Sequence, residues 1–296
     1  MTKGINVFSL FDGMSCGQLA LQKAGVKVNT YHASEIDKWA MQISRKNFPS
    51  TLQMGDITKL EDWRLELIRD EIGIDLVIGG SPCQGFSFAG NQLNFEDPRS
   101  KLFFDFVRVL KILKPKYFLL ENVRMKKESQ DIISEYLGVE PVAINSNLVS
   151  AQNRHRLYWT NIPFDIPEDK GIILADILED GVTDREKSHC LDANYFKGGN
   201  LKSYFEKHRR QLVFNNRCIQ EGEADIKETY RKLSCLECER LQTVPDGYTE
   251  GVSNTQRYKM LGNGWTVDVI AHIFKGLHLE RDAAQAKDDY YLSLQE

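Results

Sequence analysis

The sequence predicts an α/β fold with a mostly parallel sheet covered by helices on both faces. Short apolar segments of strand character alternate with helical segments, through short connections, up to about residue 140. The segment at 75–80 is a continuous apolar run that stops at Gly79 and Gly80, as expected of a buried parallel strand. In open sheets of this kind, binding residues collect where the parallel strands end. The strand ends are therefore where function is expected.

The predicted elements follow in order along the first half of the chain. Strands are expected at residues 5–11, 28–34, 52–55, 75–80 and 117–120. Helices are expected at 18–24, 37–46, 63–72, 100–113 and 128–137. Gly25 stops the first helix, Asp37 caps the second and Pro115 ends the fourth. The segments 142–145 and 157–160 are expected to pair as a hairpin.

From about residue 180 the alternation fails, which predicts a smaller second region. A turn-rich stretch at 194–200 lies within a basic segment, since residues 185–217 hold eight Lys or Arg against three Asp or Glu. Helical spacing returns at 233–241 and 267–279. We therefore expect a large domain at 1–180, a small irregular insert at 181–232, a return to the large domain at 233–279 and an acidic tail at 280–296.

Composition limits the class of protein. The 296 residues are 42% hydrophobic and 27% charged, which predicts a packed core, and no apolar run approaches the length of a membrane span. The net charge of −4 argues against a nonspecific nucleic-acid binder. The first residues lead directly into a strand, so we expect no signal or transit peptide and a cytoplasmic setting, where the six cysteines stay thiols.

One pair of cysteines has the spacing of a metal-binding motif. Cys235 and Cys238 form a lone CxxC, with no second pair or histidines at ligand spacing. Ser234 and Glu237 match a capping box, which favours the first turn of a helix over a zinc site.

Residues of nucleotide-binding character follow the first three strands. The segment from Phe11 to Gly17 lies between strand one and helix one, where small residues let backbone amides approach a ligand. Glu35 ends strand two, where an acid can bind ribose hydroxyls, and Asp56 ends strand three, where a carboxylate can accept from an exocyclic amine. Each acid alone is also typical of a solvated turn or a cap. Together they favour an adenosine-containing ligand with a charged amino-acid tail, such as S-adenosylmethionine.

A thiol and three charged residues follow the next strands. Cys83 comes after Pro82 at the end of strand four, before a loop of about fifteen residues, which is typical of a lid or binding loop. A buried structural cysteine is the alternative. Glu121 ends the next strand and would face the same pocket. Arg154 and Arg156 alternate on a strand-like stretch, where they either fix the polar edges of a planar substrate or form salt bridges with the carboxylates.

Several motifs occur in order along the chain and resemble those of cytosine-C5 DNA methyltransferases. They are FDG at 11–13, Glu35, Asp56, SPCQGFS at 81–87, DPRSKL at 97–102, ENV at 121–123, QxRxR at 152–156, residues 233–245, and GN at 262–263. The match covers nearly the whole chain, and the PCQ, ENV and QxRxR motifs are its most specific part. The resemblance is to bacterial and phage enzymes, while SLFDG at 9–13 and GNGWTV at 262–267 are similar to the vertebrate de novo-type enzymes.

The resemblance implies the Rossmann-like fold of S-adenosylmethionine-dependent methyltransferases and a particular chemistry. Cys83 adds to C6 of cytosine, Glu121 binds or protonates N3, Arg156 holds the O2 edge and Arg154 orders the site. A methyl group then passes from S-adenosylmethionine to C5, which leaves S-adenosylhomocysteine. For Trp265, filling the core beside the first helix is the alternative to packing against the adenosine. The residues implied in cofactor binding, with no metal, are Phe11, Asp12, Gly13, Cys16, Gly17, Glu35, Ile36, Asp56, Ile57, Pro82, Leu102, Asn263 and Trp265.

The resemblance also implies double-stranded DNA as the partner. A cytosine inside a duplex is out of reach of Cys83, so the base must be flipped out. The loop at 84–98 would close over it, and the basic stretch at 185–232 would lie across the groove as the target-recognition region. The implied DNA contacts are Gln84, Ser87 and Asn91 in the loop, with Lys207, Arg209 and Arg210 at phosphates. For the last three, a solvated helix face is the alternative.

Other functions stay open at this point. A tRNA cytosine-C5 methyltransferase would carry the same motifs. A noncatalytic DNA-binding relative is disfavoured, because Cys83, Glu121 and Arg156 are all present. A dehydrogenase would bind NADH in place of S-adenosylmethionine. A prokaryotic or phage origin leaves a cognate restriction endonuclease open as a partner.

Overall fold

The fold is built on one seven-stranded sheet. The computed structural model of the chain describes residues 4–81, 98–225 and 227–277. Its central strands are β1 (Ile5–Leu10), β2 (Val28–Ser34), β3 (Leu52–Gln53), β4 (Leu76–Gly79), β5 (Tyr117–Val123), β6 (Val142–Asn145) and β7 (His155–Thr160). Their order across the sheet is β3-β2-β1-β4-β5-β7-β6, with β1 to β5 parallel and β7 antiparallel to both of its neighbours. The predicted mostly parallel sheet and the β6–β7 pairing are confirmed.

Helices cover both faces of the sheet. Along the chain they are α1 (Cys16–Lys23), α2 (Lys38–Asn47), α3 (Asp62–Glu71), α4 (Pro98–Leu113), α5 (Lys127–Leu137), α6 (Leu201–Lys207), α7 (Cys235–Leu241), α8 (Asn254–Asn263) and α9 (Val267–Phe274). Successive residues of β1 belong to two different hydrophobic cores. Val7 belongs to the core that includes α1 and α9, and Phe8 belongs to the core that includes α3 and α4. Successive side chains of a strand point to opposite faces, so each β1 residue anchors one layer.

Local signals set several helix starts as predicted. Asp37 caps α2, since its side chain accepts hydrogen bonds from the backbone N–H groups of Trp39 and Ala40. Ser234 and Glu237 form the expected capping box of α7, and both cysteines of the CxxC lie buried in that helix. The described residues include no group of three or more His, Cys, Asp or Glu side chains that could hold a metal ion.

The structure moves several predicted boundaries. Strand β3 has two residues instead of four, and α9 ends at Phe274, after which the backbone is helical again at 276–277, the last described residues. Strand β5 extends through Val123, so Glu121 lies within the strand and not after it. The cause is β7, whose antiparallel pairing opposite Glu121 and Val123 continues the ladder. Such a long-range pairing has no local sequence signal.

The segment after residue 180 contains short elements that the sequence did not predict. Helix α6 packs with β8 (Leu212–Phe214) and β9 (Tyr230–Lys232), which pair antiparallel. A separate small core joins them: Leu201, Tyr204, Leu212, Phe214, Ile219 and Tyr230. The boundaries proposed at 180, 232 and 279 stay a prediction. Within the described ranges, no helix combines the length and the apolar character needed to cross a membrane.

Candidate active-site cleft

A single cleft gathers the ends of the parallel strands. Its volume is about 510 Å³, within the range of small-molecule sites. It is lined by residues at the carboxyl ends of β1, β2, β4 and β5, by the start of β7, and by residues at 190–193 and 256–265. The carboxyl ends of parallel strands meet at one edge of a sheet, which is why residues far apart in sequence share this cleft.

The loop after β1 forms one wall of the cleft through an unusual backbone. Phe11, Gly13 and Ser15 have φ values of +55°, +58° and +64°, in the left-handed region. Asp12 braces this turn, because its Oδ1 accepts hydrogen bonds from Ser9 Oγ and Tyr31 Oη at 2.7 Å each, and its Oδ2 accepts one from Ser15. Burial raises the pKa of Asp12 to about 6, although these three donors oppose the shift.

Glu35 joins the first two strand ends. Its Oε2 accepts from the backbone N–H of Gly13 at 2.7 Å, and its Oε1 accepts from the N–H groups of Ile36 and Asp37 at 2.7 and 2.8 Å. The neighbouring Ile36 is 74% exposed, although it is apolar. A fixed carboxylate therefore lies beside an uncovered hydrophobic surface at the cleft wall.

Asp56 has the cap role that was the alternative for it. Its Oδ1 accepts from Thr58 N at 3.0 Å and from Thr58 Oγ1 at 2.8 Å, which caps a short 3-10 turn at Ile57–Lys59. The Thr58 hydroxyl holds the pKa of Asp56 below its ordinary value. Both Asp56 and Ile57 line the cleft, so the residue that caps the 3-10 turn also forms part of the cleft wall.

Glu121 and Arg156 form an ion pair across β5 and β7. Arg156 Nε lies 2.8 Å from Glu121 Oε1, and the two side chains are only 13% and 11% exposed. The β5–β7 register brings Arg156 opposite Val123, two residues from Glu121 on the same face of the sheet. Burial alone would lower the pKa of Arg156, but the charge of Glu121 raises it above its ordinary value. Of the two sequence alternatives for Arg156, this structure contains the salt bridge.

Arg154 is buried and donates to four groups of the protein. Its Nη1 donates to Leu191 O at 2.9 Å and to Cys190 Sγ at 3.4 Å, while its Nη2 donates to the carbonyls of Gly262 and Gly264 at 3.1 and 2.7 Å. Those glycines form the C-terminus of α8, where a cation is favoured by the helix dipole. Burial, and then the charge of Arg156, lowers the pKa of Arg154. Arg154 therefore orders the cleft wall.

The remaining cofactor candidates divide between the cleft wall and the core. Phe11, Gly13, Cys16, Leu102, Asn263 and Trp265 line the cleft. Cys16 is a packing residue at the wall, since it is buried in the core that includes α1, and this burial raises the pKa of its thiol to about 12. Gly17 does not line the cleft, because it faces the sheet: a Cβ there would lie 2.3 Å from Ile78 Cδ1 and 3.0 Å from Tyr31 Oη. It permits close packing of α1.

Several predicted site residues lie outside the described residues. They are Pro82, Cys83, Gln84, Ser87 and Asn91, together with the tail at 280–296. Ser81, two residues before Cys83, is buried and lines the cleft. Its carbonyl and hydroxyl oxygens lie 3.3 and 3.1 Å from Asn122 Nδ2, which ties the end of β4 to the residue beside Glu121.

The three proposed phosphate contacts are not on one solvated helix face. Lys207 is exposed at the end of α6, but Arg209 and Arg210 follow that helix. Arg209 Nη2 lies 3.3 Å from Asp192 Oδ2, and Arg210 Nη1 donates to Gly198 O at 2.9 Å. Two of the three are thus held by the protein in this structure.

Comparison with known proteins decides the family. The family model for C-5 cytosine-specific DNA methylase matches residues 5–163 and 125–278 of this chain. The chain belongs to this family. The type II methyltransferase M1.ScrFI of Lactococcus lactis subsp. cremoris is 28% identical over 91% of this chain and 77% of its own length. The type II methyltransferase M.HpaII of Haemophilus parainfluenzae is 30% identical over 88% of this chain and 86% of its own length.

The fold is similar to that of solved methyltransferase structures, and one curated relative is longer than this chain. The Entamoeba histolytica methyltransferase EhMeth has a TM-score of 0.73, at 17% identity, and the alignment covers 94% of this chain and 99% of that one. Spodoptera frugiperda DNMT2 has a TM-score of 0.70, at 19% identity, over 93% and 100%. This chain spans 45% of the length of the orphan methyltransferase M.Rho11sI of Bacillus phage rho11s, which is 30% identical over 76% of this chain.

Sequence reasoning missed part of the methylase cleft. Lys259 on α8 lies 2.7 Å from Asp37 Oδ2 at the start of α2, and both residues line the cleft. Helix α8 was not predicted, because its apolar periodicity is weak, so no signal pointed to Lys259. Asn122 was within reach of sequence analysis, since it stands in the ENV motif directly after Glu121.

Proposed function

We propose that the chain methylates C5 of cytosine in double-stranded DNA, with S-adenosylmethionine as methyl donor. The observation that carries the proposal is the buried Glu121–Arg156 pair in the same cleft as Glu35 and the uncovered Ile36. One part of the cleft thus offers a donor and acceptor pair for the edge of a pyrimidine. The other offers an apolar surface and a carboxylate for an adenosine.

The cleft fits the proposed methyl donor on its own features. Ile36 presents an apolar surface, on which a flat base can stack, and Glu35 and Asp56 place carboxylates beside it. The left-handed turn at Gly13 leads into α1, which begins at Cys16, and the first N–H groups of a helix favour an anionic group. These residues would hold the adenosine and the amino-acid tail. When bound, S-adenosylmethionine supplies an electrophilic methyl group on a positively charged sulfur.

The protein's own residues would activate the cytosine. The Cys83 thiolate would add to C6, and the electron pair released from the C5–C6 double bond makes C5 nucleophilic. Glu121 would hold a proton at N3 while charge develops in the ring, and Arg156 would donate to O2. After methylation, loss of the C5 proton would expel the Cys83 thiolate and restore the ring. Ser81 in the cleft wall supports the role of Cys83, since two residues of chain reach at most about 7 Å.

The substrate is proposed to be a duplex whose target base is flipped. Unstacking costs a few kcal/mol, which contacts from the region at 181–232 would offset. Support for that role comes from its basic balance and from its own small core around Tyr204 and Phe214. The proposal leaves a cognate endonuclease open as a further partner.

Parallel methyl-transfer assays test the proposal. Tritiated S-adenosylmethionine is incubated with the chain and either duplex DNA or tRNA, with C83S as the control, and the products from DNA are mapped by bisulfite sequencing. We expect label in DNA only, at C5 of cytosine within one short sequence, and none with C83S. Label in tRNA alone would overturn the choice of substrate. Binding of NADH in place of S-adenosylhomocysteine would overturn the methyl donor.

A further inference from the structure

We infer that Trp265 is a positioning residue for Glu121, and that its indole N–H fixes the plane of the carboxylate that faces the cytosine. The inference rests on the proposed function and deepens it. Trp265 Nε1 lies 3.2 Å from Glu121 Oε2, within hydrogen-bond distance, in a half-buried position of the cleft. The sequence suggested only two roles for Trp265, stacking on a cofactor or filling the core.

The carboxylate of Glu121 is held at both oxygens. Oε1 is 2.8 Å from Arg156 Nε, and Oε2 is 3.2 Å from Trp265 Nε1. A contact at one oxygen still lets a carboxylate turn about its last bond, whereas contacts at both oxygens fix its plane. Hydrogen bonds to a charged group are stronger than those between neutral groups, so the second contact restrains Glu121 substantially.

Gly80, directly after the carboxyl end of β4, leaves room for this contact. A Cβ on Gly80 would lie 2.9 Å from Trp265 Nε1 and 3.2 Å from Glu121 Oε2. Any side chain at position 80 would therefore press against both the donor and the acceptor. The backbone of Gly80 is not in the left-handed region, so the requirement at this position is for space and not for conformation.

The backbone on either side of Trp265 is fixed. The carbonyl of Gly264 accepts from Arg154 Nη2 at 2.7 Å and from Gln242 Nε2 at 3.2 Å. The hydroxyl of Thr266 donates to Gln242 Oε1 at 2.9 Å, in a buried position. A donor that is held on both sides can fix its acceptor before substrate arrives, which is the condition for preorganised catalysis.

The kinetic consequence separates positioning from cofactor binding. Without the indole N–H, Glu121 keeps the Arg156 contact at Oε1 and gains rotational freedom, so its carboxyl group is misaligned with N3 in part of the molecules. The turnover step should slow, because Glu121 must hold the proton at N3 while charge develops, whereas binding of the methyl donor at Glu35 and Ile36 should not change. Loss of a residue that merely stacks on the methyl donor would weaken binding of that donor and leave the turnover step unchanged.

The W265F variant tests this separation. Phenylalanine keeps most of the ring and removes the N–H, so we expect kcat on duplex DNA to fall roughly tenfold, the lower end for a hydrogen bond to a charged group. We expect KM for DNA and Kd for S-adenosylhomocysteine to stay unchanged. G80A should lower kcat in the same way, because its methyl group presses on the same contact. W63F is the matched control: Trp63 Nε1 donates to Glu61 Oε2 at 2.8 Å on the exposed surface, and its loss should leave kcat unchanged.

A measurement without substrate tests the contact itself. In the ¹⁵N-indole NMR spectrum, the Trp265 resonance is identified by its absence in W265F, and E121A should shift it while leaving the Trp63 resonance in place. An unshifted Trp265 resonance would overturn the inference. So would wild-type kcat in W265F, or a weakened Kd for S-adenosylhomocysteine as its only defect. A wild-type chain that methylates neither DNA nor tRNA would overturn the proposed function instead, and the NMR shift would still decide whether Trp265 holds Glu121.

Discussion

Replacing Arg154 by alanine should lower the unfolding temperature of the chain. It should also lower the affinity of the cleft for S-adenosylhomocysteine. Arg154 joins the start of β7 to Leu191 and to the C-terminus of α8 through three carbonyl contacts of 2.7–3.1 Å. After truncation, Gly264 O keeps Gln242 as a donor at 3.2 Å, but the contacts to the carbonyls of Leu191 and Gly262 are lost in the interior.

The magnitude follows from those two carbonyls. A buried acceptor left without its donor costs roughly 1–3 kcal/mol. Gly262 O loses its donor, whereas Leu191 O keeps the thiol of Cys190 at 3.6 Å, which is a weak donor, so R154A should lose about 3 kcal/mol in total. In a chain of this size that corresponds to a fall in Tm of roughly 6 °C. Because Gly264 and Leu191 also line the cleft, the affinity for S-adenosylhomocysteine should fall with stability.

Differential scanning fluorimetry and calorimetric titration with S-adenosylhomocysteine measure both effects. R154M, which keeps the length of the side chain and removes its donors, should match R154A. R45A, at an exposed arginine of α2, should leave Tm unchanged. A variant R154A with the Tm and cofactor affinity of the wild type, but with no turnover, would refute the ordering role and assign Arg154 to the substrate.

Three further changes test other parts of the cleft. C83S should abolish methyl transfer and keep its affinity for S-adenosylhomocysteine; substantial turnover would refute the nucleophile assignment. Burial raises the pKa of Asp12 from 3.8 to about 6, so the folded chain binds this proton more tightly than the unfolded chain. Stability should fall by roughly 3 kcal/mol as pH rises through that window. D12N should remove this part of the slope in Tm measured from pH 4 to 7, and an unchanged slope would contradict the assignment. At Gly262 a Cβ would lie 2.2 Å from the carbonyl carbon of Asp192, so G262A should cost about 3 kcal/mol, seen as a lower Tm; an unchanged Tm would show that the loop can move away.

Residues at the ends of parallel strands were predictable because the fold class alone brings them together. Glu35 and Asp56 needed only strand assignments and the rule that functional groups collect at one edge of the sheet. The caps at Asp37 and Ser234 were readable too, since a cap depends on residues two or three positions away. Local signals of this kind are present in the sequence itself.

Contacts between distant segments were not predictable. The alternatives for Arg156 could be decided only by the β5–β7 register, which is set by pairing across the sheet. Arg154 finds acceptors 108 and 110 residues away in sequence, and Trp265 reaches Glu121 across 144. No periodicity or motif spacing encodes such distances. They arise only when α8 packs against the cleft.

The direction of β7 has a practical consequence for the molecule. A strand that runs against its neighbours brings its beginning to the edge where theirs finish, so His155 and Arg156 enter at the cleft while Thr160 leaves on the far side of the sheet. The turn that follows lies beside the start of β5, where Asn161 Nδ2 donates to Lys116 O at 2.8 Å and Lys114 is exposed. The start of β7 therefore contributes residues to the cleft, and the turn after its end lies at the opposite edge of the sheet, where a label can be attached. A dye or affinity tag attached there would report on the enzyme at work without standing between the cleft and its nucleic acid.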